Sequence, residues 1–154
     1  MSEYVEFFVK NGENYSPIGS FCRSNAIFEV ARDNGVPYEG LRNVDSELIG
    51  RMRADLEQKV RYARKNIRIK NDYLTFLQGA EMPAEDKRLE YSDTRDEIEE
   101  LEDEITHLNY FSSFCMFLDD VIESGAAYDF DSNSYVWVGI EVPPSLIGIK
   151  DFEE

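Results

Sequence analysis

Residues 45–79 read DSELIGRMRADLEQKVRYARKNIRIKNDYLTFLQG, and apolar residues recur in this stretch at every third or fourth position. The recurring positions are Ile49, Met52, Leu56, Val60, Ala63, Ile67, Leu74 and Leu77. This spacing predicts one amphipathic helix of about 30 residues and about 45–50 Å in length. Asp45 or Ser46 is placed to cap the start of the helix, and Gly79 is placed to end it.

A second long helix is predicted further along the chain, because the same spacing returns. Its apolar positions are Ile98, Leu101, Ile105, Leu108, Phe111, Cys115, Leu118 and Ile122. Gly125 ends this helix, but its start stays open, since Pro83 permits a first turn at once whereas Ser92 is a later candidate cap. Between Tyr110 and Val121 apolar residues occupy most of the circumference, so we expect this end to be buried on most sides.

The two helices are joined by a short connection at Met82-Pro83, which predicts an antiparallel coiled-coil hairpin over residues 45–124. If the turn centres near residue 81, positions whose numbers add to about 162 face each other. We expect the half of the hairpin nearest the turn, about residues 60–105, to project as an arm.

Charge is distributed unevenly along this hairpin. Residues 41–80 carry 9 basic and 5 acidic side chains, net +4, whereas residues 81–154 carry 4 basic and 21 acidic ones, net −17. In the predicted register, the basic side chains that lie opposite residues 96–104 are Arg61, Arg64, Lys65 and Arg68. We therefore expect the basic segment to pair lengthwise with its acidic neighbour, each exposed pair contributing about 0.2–1 kcal/mol.

The N-terminal region predicts a β-hairpin. Residues 4–9 are rich in strand-forming side chains and lead into Asn11-Gly12, a strong two-residue turn signal, so the second strand is expected over about residues 15–22. Pro17 removes a backbone donor, which places this strand at a sheet edge or gives it a bulge. A short helix should follow, capped by Ser24 and ended by Asn34-Gly35.

The C-terminal region predicts a second hairpin. Its strands are expected over residues 127–130 and 134–142, around a turn at residues 131–133, with a loose acidic tail after Pro143-Pro144. Strands at both ends of the chain with helices between them predict one α+β domain over residues 1–154: a small antiparallel sheet, a short helix and the long helical hairpin.

Composition excludes several classes of protein. With 154 residues and a net charge of −16, the chain is repelled by phosphates, so we expect no direct binding to nucleic acid. No apolar stretch approaches the length of a membrane span and no export signal follows Met1, so we expect a cytoplasmic protein that does not bind membranes. Cys22 and Cys115 have no metal or redox spacing and are expected to be buried free thiols.

No motif of catalysis or cofactor binding is present. The single histidine, His107, has no nucleophile motif near it, and the glycine patterns of phosphate-binding loops are absent, so we expect neither enzymatic activity nor a cofactor. Asp129-x-Asp131-x-Asn133 imitates the start of a calcium loop, but Ser134 and Ile140 replace the required Gly and Glu. An Asx-stabilised hairpin turn explains this segment better, and no metal site is expected.

The density of carboxylates on the second helix is the strongest functional signal. The candidate partner-binding residues are Asp93, Asp96, Glu97, Glu99, Glu100, Glu102, Asp103 and Glu104. Asp96, Glu100 and Glu104 stand one helical turn apart, about 6 Å, which is similar to the spacing of phosphates along a DNA strand. We hypothesise a DNA-mimicking inhibitor that blocks a basic, nucleic-acid-binding surface of a host protein. A solvated coiled-coil face is the simpler explanation of the same charges.

In size, acidity and lack of a catalytic motif, the chain resembles the small accessory proteins of bacteriophages and mobile elements, including anti-CRISPR and other anti-defence inhibitors. The resemblance covers no motif and transfers no residue. One alternative is a homodimeric scaffold in which Tyr62, Ile69, Tyr73 and Phe76 form a second seam between hairpins. Another is a metal-dependent helical-bundle enzyme, because Glu104 and His107 have the spacing of di-metal carboxylate sites and Glu57 is expected opposite Glu104.

Overall fold

The computed structural model of the protein describes residues 4–11, 14–22, 25–123 and 135–141. The elements in chain order are β1 (Tyr4–Asn11), β2 (Asn14–Cys22), α1 (Asn25–Asp33), β3 (Arg42–Asn43), α2 (Ser46–Gly79), α3 (Ala84–Glu123) and β4 (Tyr135–Gly139). The predicted Ser24 cap, the strand at residues 127–130, the turn at residues 131–133 and the C-terminal tail lie outside the described residues.

The four strands form one antiparallel sheet in the order β2-β1-β4-β3, and the two long helices pack against each other. The predicted α+β class is therefore confirmed, with strands from both ends of the chain in a single sheet. Sequence reasoning missed β3, because a strand of two residues shows no alternation. No helix in the described residues is both long and apolar enough to cross a lipid bilayer.

The N-terminal hairpin follows the prediction closely. Asn11 pairs with Asn14, so Asn11 is the last residue of β1 and not the first of the turn. Both expectations for Pro17 hold: β2 lies at the edge of the sheet, and its register shifts where Phe7 pairs with Gly19 but Phe8 pairs with Pro17. Ile18 is the extra residue of this bulge.

The main core lies between the sheet and the parts of α2 and α3 that are nearest to the sheet. Val5, Phe7 and Val9 alternate along β1 and face the helices, as the two-residue period of a strand requires. The Phe21 and Phe111 rings stack with centroids 4.8 Å apart. The base of α3 is buried over Phe111, Cys115, Leu118 and Val121, but Tyr110 and Met116 are exposed, so the expected burial on most sides is wrong and only one face of the helix is buried.

Cys115 is a buried free thiol, as expected, and burial raises its pKa to about 12. The side chain of Cys22 lies outside the described residues.

The helix ends are set by identifiable residues. The Asp45 side chain accepts a hydrogen bond from the Leu48 N–H (2.7 Å), which confirms Asp45 as the cap of α2. α3 begins at Ala84, directly after Pro83, so the earlier of its two predicted starts is correct. Gly35 has φ +87° just after α1, where a residue with a side chain is strained, and it ends that helix as predicted.

The distal part of the hairpin, residues 60–105, has an apolar cluster of its own and is called the arm below. Its buried members are Leu74, Leu77 and Ile98, with Ile67, Met82 and Tyr91 packed against them. The main core includes α2 residues as far as Val60 and α3 residues from Ile105 onward. α2 and α3 are thus held together by two separate apolar clusters.

Candidate protein-binding surface

The eight predicted partner-binding carboxylates all lie on α3. Seven of them are exposed and Glu104 is half-buried. Glu97 forms an ion pair with Lys70 of α2, and it is the only one of the eight with an ion pair to a described residue. The acidic stretch therefore keeps nearly all of its negative charge in contact with solvent.

Half of the eight carboxylates lie together on one flank of α3. Glu97, Glu100, Asp103 and Glu104 line a groove of about 500 Å³ between α2 and α3, and we call this flank the acidic flank. Asp96 stands one turn before Glu100, but it lines a separate hollow near the turn and not this groove. The structure therefore brings Glu100 and Glu104 together, as their spacing predicted, and places Asp96 apart from them.

The remaining carboxylates are placed differently. Glu99 and Glu102 lie three residues apart and are rotated away from the groove by the 3.6-residue period. Asp93 lies one turn before Asp96 and Glu97, outside the lining of the groove. The single acidic face suggested by the sequence is therefore a flank facing the groove together with separate carboxylates elsewhere on α3.

The predicted lengthwise pairing of charges is wrong for the four basic side chains that were expected to face the acidic segment, although Arg53 and Lys70 of α2 do pair with α3. The four basic side chains, Arg61, Arg64, Lys65 and Arg68, are exposed and make no ion pair within the described part of the chain. Arg61 and Arg64 line a groove on the other side of the hairpin, where α3 presents the uncharged Asn109 and Ser112. Their rotation around the α2 axis turns them away from the acidic residues that they were expected to meet.

The register of the hairpin explains part of this error. Near the turn, Tyr73 donates to Glu90, and those numbers add to 163, close to the expected 162. Arg53 pairs with Asp119 at 3.4 Å near the sheet, where the sum is 172. The turn sets the pairing of residues only close to itself, and the register drifts toward the sheet. A fixed sum of 162 therefore placed the basic residues of α2 opposite the wrong residues of α3.

The same shift removes the predicted neighbour of Glu104. Glu57 lies in the groove with Asn109 and Ser112, whereas Glu104 and His107 line the groove on the acidic flank. The His107 Nδ1–H donates to the Asp103 carbonyl (2.8 Å). Within the described residues, no group of three or more His, Cys, Asp or Glu side chains is arranged to hold a metal ion.

Sequence reasoning missed two side chains that α2 contributes to the groove, Asn66 and Lys70. A signal for Lys70 was present, because this residue lies where the apolar spacing of α2 lapses between Ile67 and Leu74. It also missed a hollow of about 620 Å³ near the turn, where Lys87, Arg88 and Arg95 surround an apolar floor.

Comparisons of the chain with protein-family models, with curated proteins and with solved structures found no match.

Proposed function

We propose that this protein is a non-enzymatic protein-binding module whose acidic flank binds a basic surface on another protein. That basic surface is of the kind that binds nucleic acid, and binding of this module blocks it, as an accessory inhibitor of a bacteriophage or mobile element would. One observation carries the proposal: seven of the eight carboxylates on α3 are exposed, and Glu97 alone has an ion pair with a described residue.

The limited internal neutralisation strengthens this proposal. Had Arg61 and Arg64 paired with the acidic flank, a partner would first have to displace them. Because they lie on the other side of the hairpin, the carboxylates of the flank other than Glu97 have no ion pair with a described residue, and Glu100 and Glu104 stand four residues, about 6 Å, apart. Such a row attracts a basic surface over a distance comparable to the Debye length, about 10 Å at 0.1 M salt.

The first experiment is capture of partners on the immobilised protein at low salt, elution with a salt step and identification by mass spectrometry. The purified partner is then tested for competition between this protein and DNA or RNA. Displacement of nucleic acid by the protein, and binding that weakens steeply with salt, support the proposal. Affinity that is equal at low and high salt contradicts it.

A charge-matched pair of variants locates the binding surface. The test variant carries Glu100→Gln, Asp103→Asn and Glu104→Gln, and the control carries Glu57→Gln, Asp72→Asn and Glu81→Gln. Both remove three negative charges, but only the first changes the acidic flank. We expect the test variant to bind at least about tenfold more weakly than the control, a difference of about 1.4 kcal/mol. Equal losses would show that only net charge matters.

A homodimeric coiled-coil scaffold is the second candidate, and the structure gives one observation in its favour. α2 exposes a row of large apolar side chains, Tyr62, Ile69, Tyr73 and Phe76, on the side that the sequence suggested as a second seam. Molar mass by light scattering tests this candidate, because a strict monomer at micromolar concentration excludes it.

A further inference from the structure

We infer that one side of the arm is a composite docking surface, partly apolar and partly acidic, that takes a basic amphipathic helix. This inference rests on the proposed function and adds the chemistry of the partner. Its apolar part is the row on α2 made of Tyr62, Ile69, Tyr73 and Phe76, which we call the aromatic stripe. Its acidic part is the acidic flank of α3.

The aromatic stripe is a continuous feature of one helix face. Its members are separated by seven, four and three residues, and this spacing returns to the same side of an α-helix. Their exposed fractions are 68% for Tyr62, 54% for Ile69, 38% for Tyr73 and 65% for Phe76. The stripe spans 15 residues of α2, from Tyr62 to Phe76, a rise of about 21 Å along the helix axis.

The stripe is ordered by contacts within the arm. The Tyr73 and Phe76 rings stack with centroids 6.1 Å apart and planes at 20°. The Tyr73 hydroxyl also donates to Glu90 of α3 (3.1 Å). Single exposed apolar residues are common on protein surfaces, but a row of four on one helix face marks an interaction surface.

The stripe and the acidic flank share one side of the arm. Two side chains of the groove, Asn66 and Lys70, come from α2, and each lies three residues before a member of the stripe. Lys70 reaches across the groove to Glu97. The hydrogen bond from Tyr73 to Glu90 crosses between the same two helices. A ligand lying along the groove therefore contacts aromatic rings on one side and carboxylates on the other.

Charge complementarity indicates which kind of molecule binds the composite surface. A second copy can pack stripe on stripe about a twofold axis that runs across the helices, which places each acidic flank beside its equivalent, or about an axis along the helices, which makes the two α2 helices parallel. Each copy carries a net charge of −16, so both arrangements bring two strongly negative chains together and are repulsive. Nucleic acid is repelled by the same carboxylates. An α-helix with apolar residues on one face and Lys or Arg beside them satisfies both halves of the surface.

The probe for this inference is a synthetic peptide of about 18 residues, five helical turns, built from Leu and Lys at amphipathic spacing. A scrambled peptide of the same composition is the control for charge alone, and a Leu/Glu peptide is the control for apolar contact alone. Binding to the full-length protein is measured by fluorescence anisotropy. We expect the amphipathic Leu/Lys peptide to bind at least about tenfold more tightly than either control.

Protein variants test the two halves of the surface separately. Ile69→Ser with Phe76→Ser removes exposed side chains of the stripe, and Met116→Ser with Tyr135→Ser removes exposed apolar side chains elsewhere. Circular dichroism checks that each variant is folded. We expect about a tenfold loss of peptide affinity in the first variant and less than about twofold in the second. The variant carrying Glu100→Gln, Asp103→Asn and Glu104→Gln should also lose affinity.

The possible outcomes separate this inference from the proposed function. Equal binding of amphipathic and scrambled peptides, with loss only in the carboxylate variant, overturns the inference and leaves the proposed function in place. Loss in the stripe variant without loss in the carboxylate variant contradicts both. A wild-type dimer that the stripe variant converts to a monomer identifies a second copy as the occupant and overturns the inference, as does an absence of peptide binding at low salt.

Discussion

The Phe114 ring of α3 lies against the backbone of Gly19 in the edge strand β2, in the space that a side chain at position 19 would need. A Cβ atom on Gly19 would lie 2.5 Å from Phe114 Cζ. The same ring packs on Phe7 and Phe21, with centroids 5.0 Å and 4.9 Å away. The absence of a side chain at this one position lets α3 sit closely on the sheet.

Replacing Gly19 by Ala should therefore destabilise the protein. We expect the free energy of unfolding to fall by about 1–3 kcal/mol, because the added methyl group forces the ring out of its packed position. Chemical denaturation measures the change. In a Phe114→Ala background the same substitution should cost much less, and equal costs in the two backgrounds would contradict the account.

Gly50→Ala is the control for this substitution. Gly50 lies in α2 with no atom within 4 Å of the position that its Cβ would take. Because glycine weakens a helix, this change should stabilise the protein by about 0.5–1 kcal/mol.

Glu6 should make stability depend on pH in the direction opposite to that of a paired carboxylate. It lies in β1 between two neighbouring strands, and burial raises its pKa above the ordinary 4.5. The folded state therefore binds this proton more tightly than the unfolded state, so the contribution of Glu6 to stability is greatest at low pH and is lost as pH rises through the raised pKa. Glu6→Gln should melt at a higher temperature than the parent at pH 7.

That difference should shrink as the pH is lowered toward 4.5 and below, since the parent carboxyl becomes neutral as well. Melting curves of both proteins across this range provide the measurement. Glu57→Gln, at an exposed position of α2, is the control and should shift the melting temperature little at any pH. A lower melting temperature for Glu6→Gln at pH 7 would count against the account.

Cys115 should be unreactive in the folded protein. Burial raises the pKa of its thiol to about 12, and the thiolate is the species that reacts. We expect iodoacetamide to leave Cys115 unlabelled at pH 7 in the native protein and to label it fully in denaturant. Peptide mapping by mass spectrometry reads this thiol separately from Cys22. Labelling of native Cys115 as fast as that of a free peptide would show that the thiol is accessible.

Neutralising the basic side of α2 should cost little stability. Arg61 and Arg64 are exposed and make no ion pair with any described residue, so Arg61→Gln with Arg64→Gln should change the free energy of unfolding by less than about 0.5 kcal/mol. Chemical denaturation at low salt is the sensitive condition. A loss of several kcal/mol that salt abolishes would restore the lengthwise pairing that the structure contradicts.

Lys70→Gln provides the comparison, because this side chain has the ion pair with Glu97. Both partners are partly exposed, so the pair should contribute about 0.2–1 kcal/mol.

The sequence predicted those helices and strands whose signals lie within a short stretch of the chain. The spacing of Leu56, Val60 and Ala63 predicted α2 because an amphipathic helix repeats every 3.6 residues wherever it occurs, and Asp45 predicted its start because a cap is a local hydrogen bond. The N-terminal strands followed from the same kind of signal. The same periodicity placed the candidate carboxylates on one long helix.

What the sequence did not predict depends on rotation and register between elements. Whether Arg64 meets a carboxylate is set by where it lies around the α2 axis and by the drift in register from the turn toward the sheet. Neither is a local property of the residue. The groove that unites Lys70 with the acidic flank also needed the packed hairpin, since the two sides of the groove are about thirty residues apart in the chain.

The division of the hairpin between two apolar clusters bears on how the molecule opens. The distal cluster is built on Leu74, Leu77 and Ile98, and it is much smaller than the core beneath the sheet. Amide protons near the turn should therefore exchange with deuterium through a local separation of the two helices, while those of β1 exchange only when the whole protein unfolds. The section that carries the acidic flank is then one that can open locally while the sheet and its core stay folded.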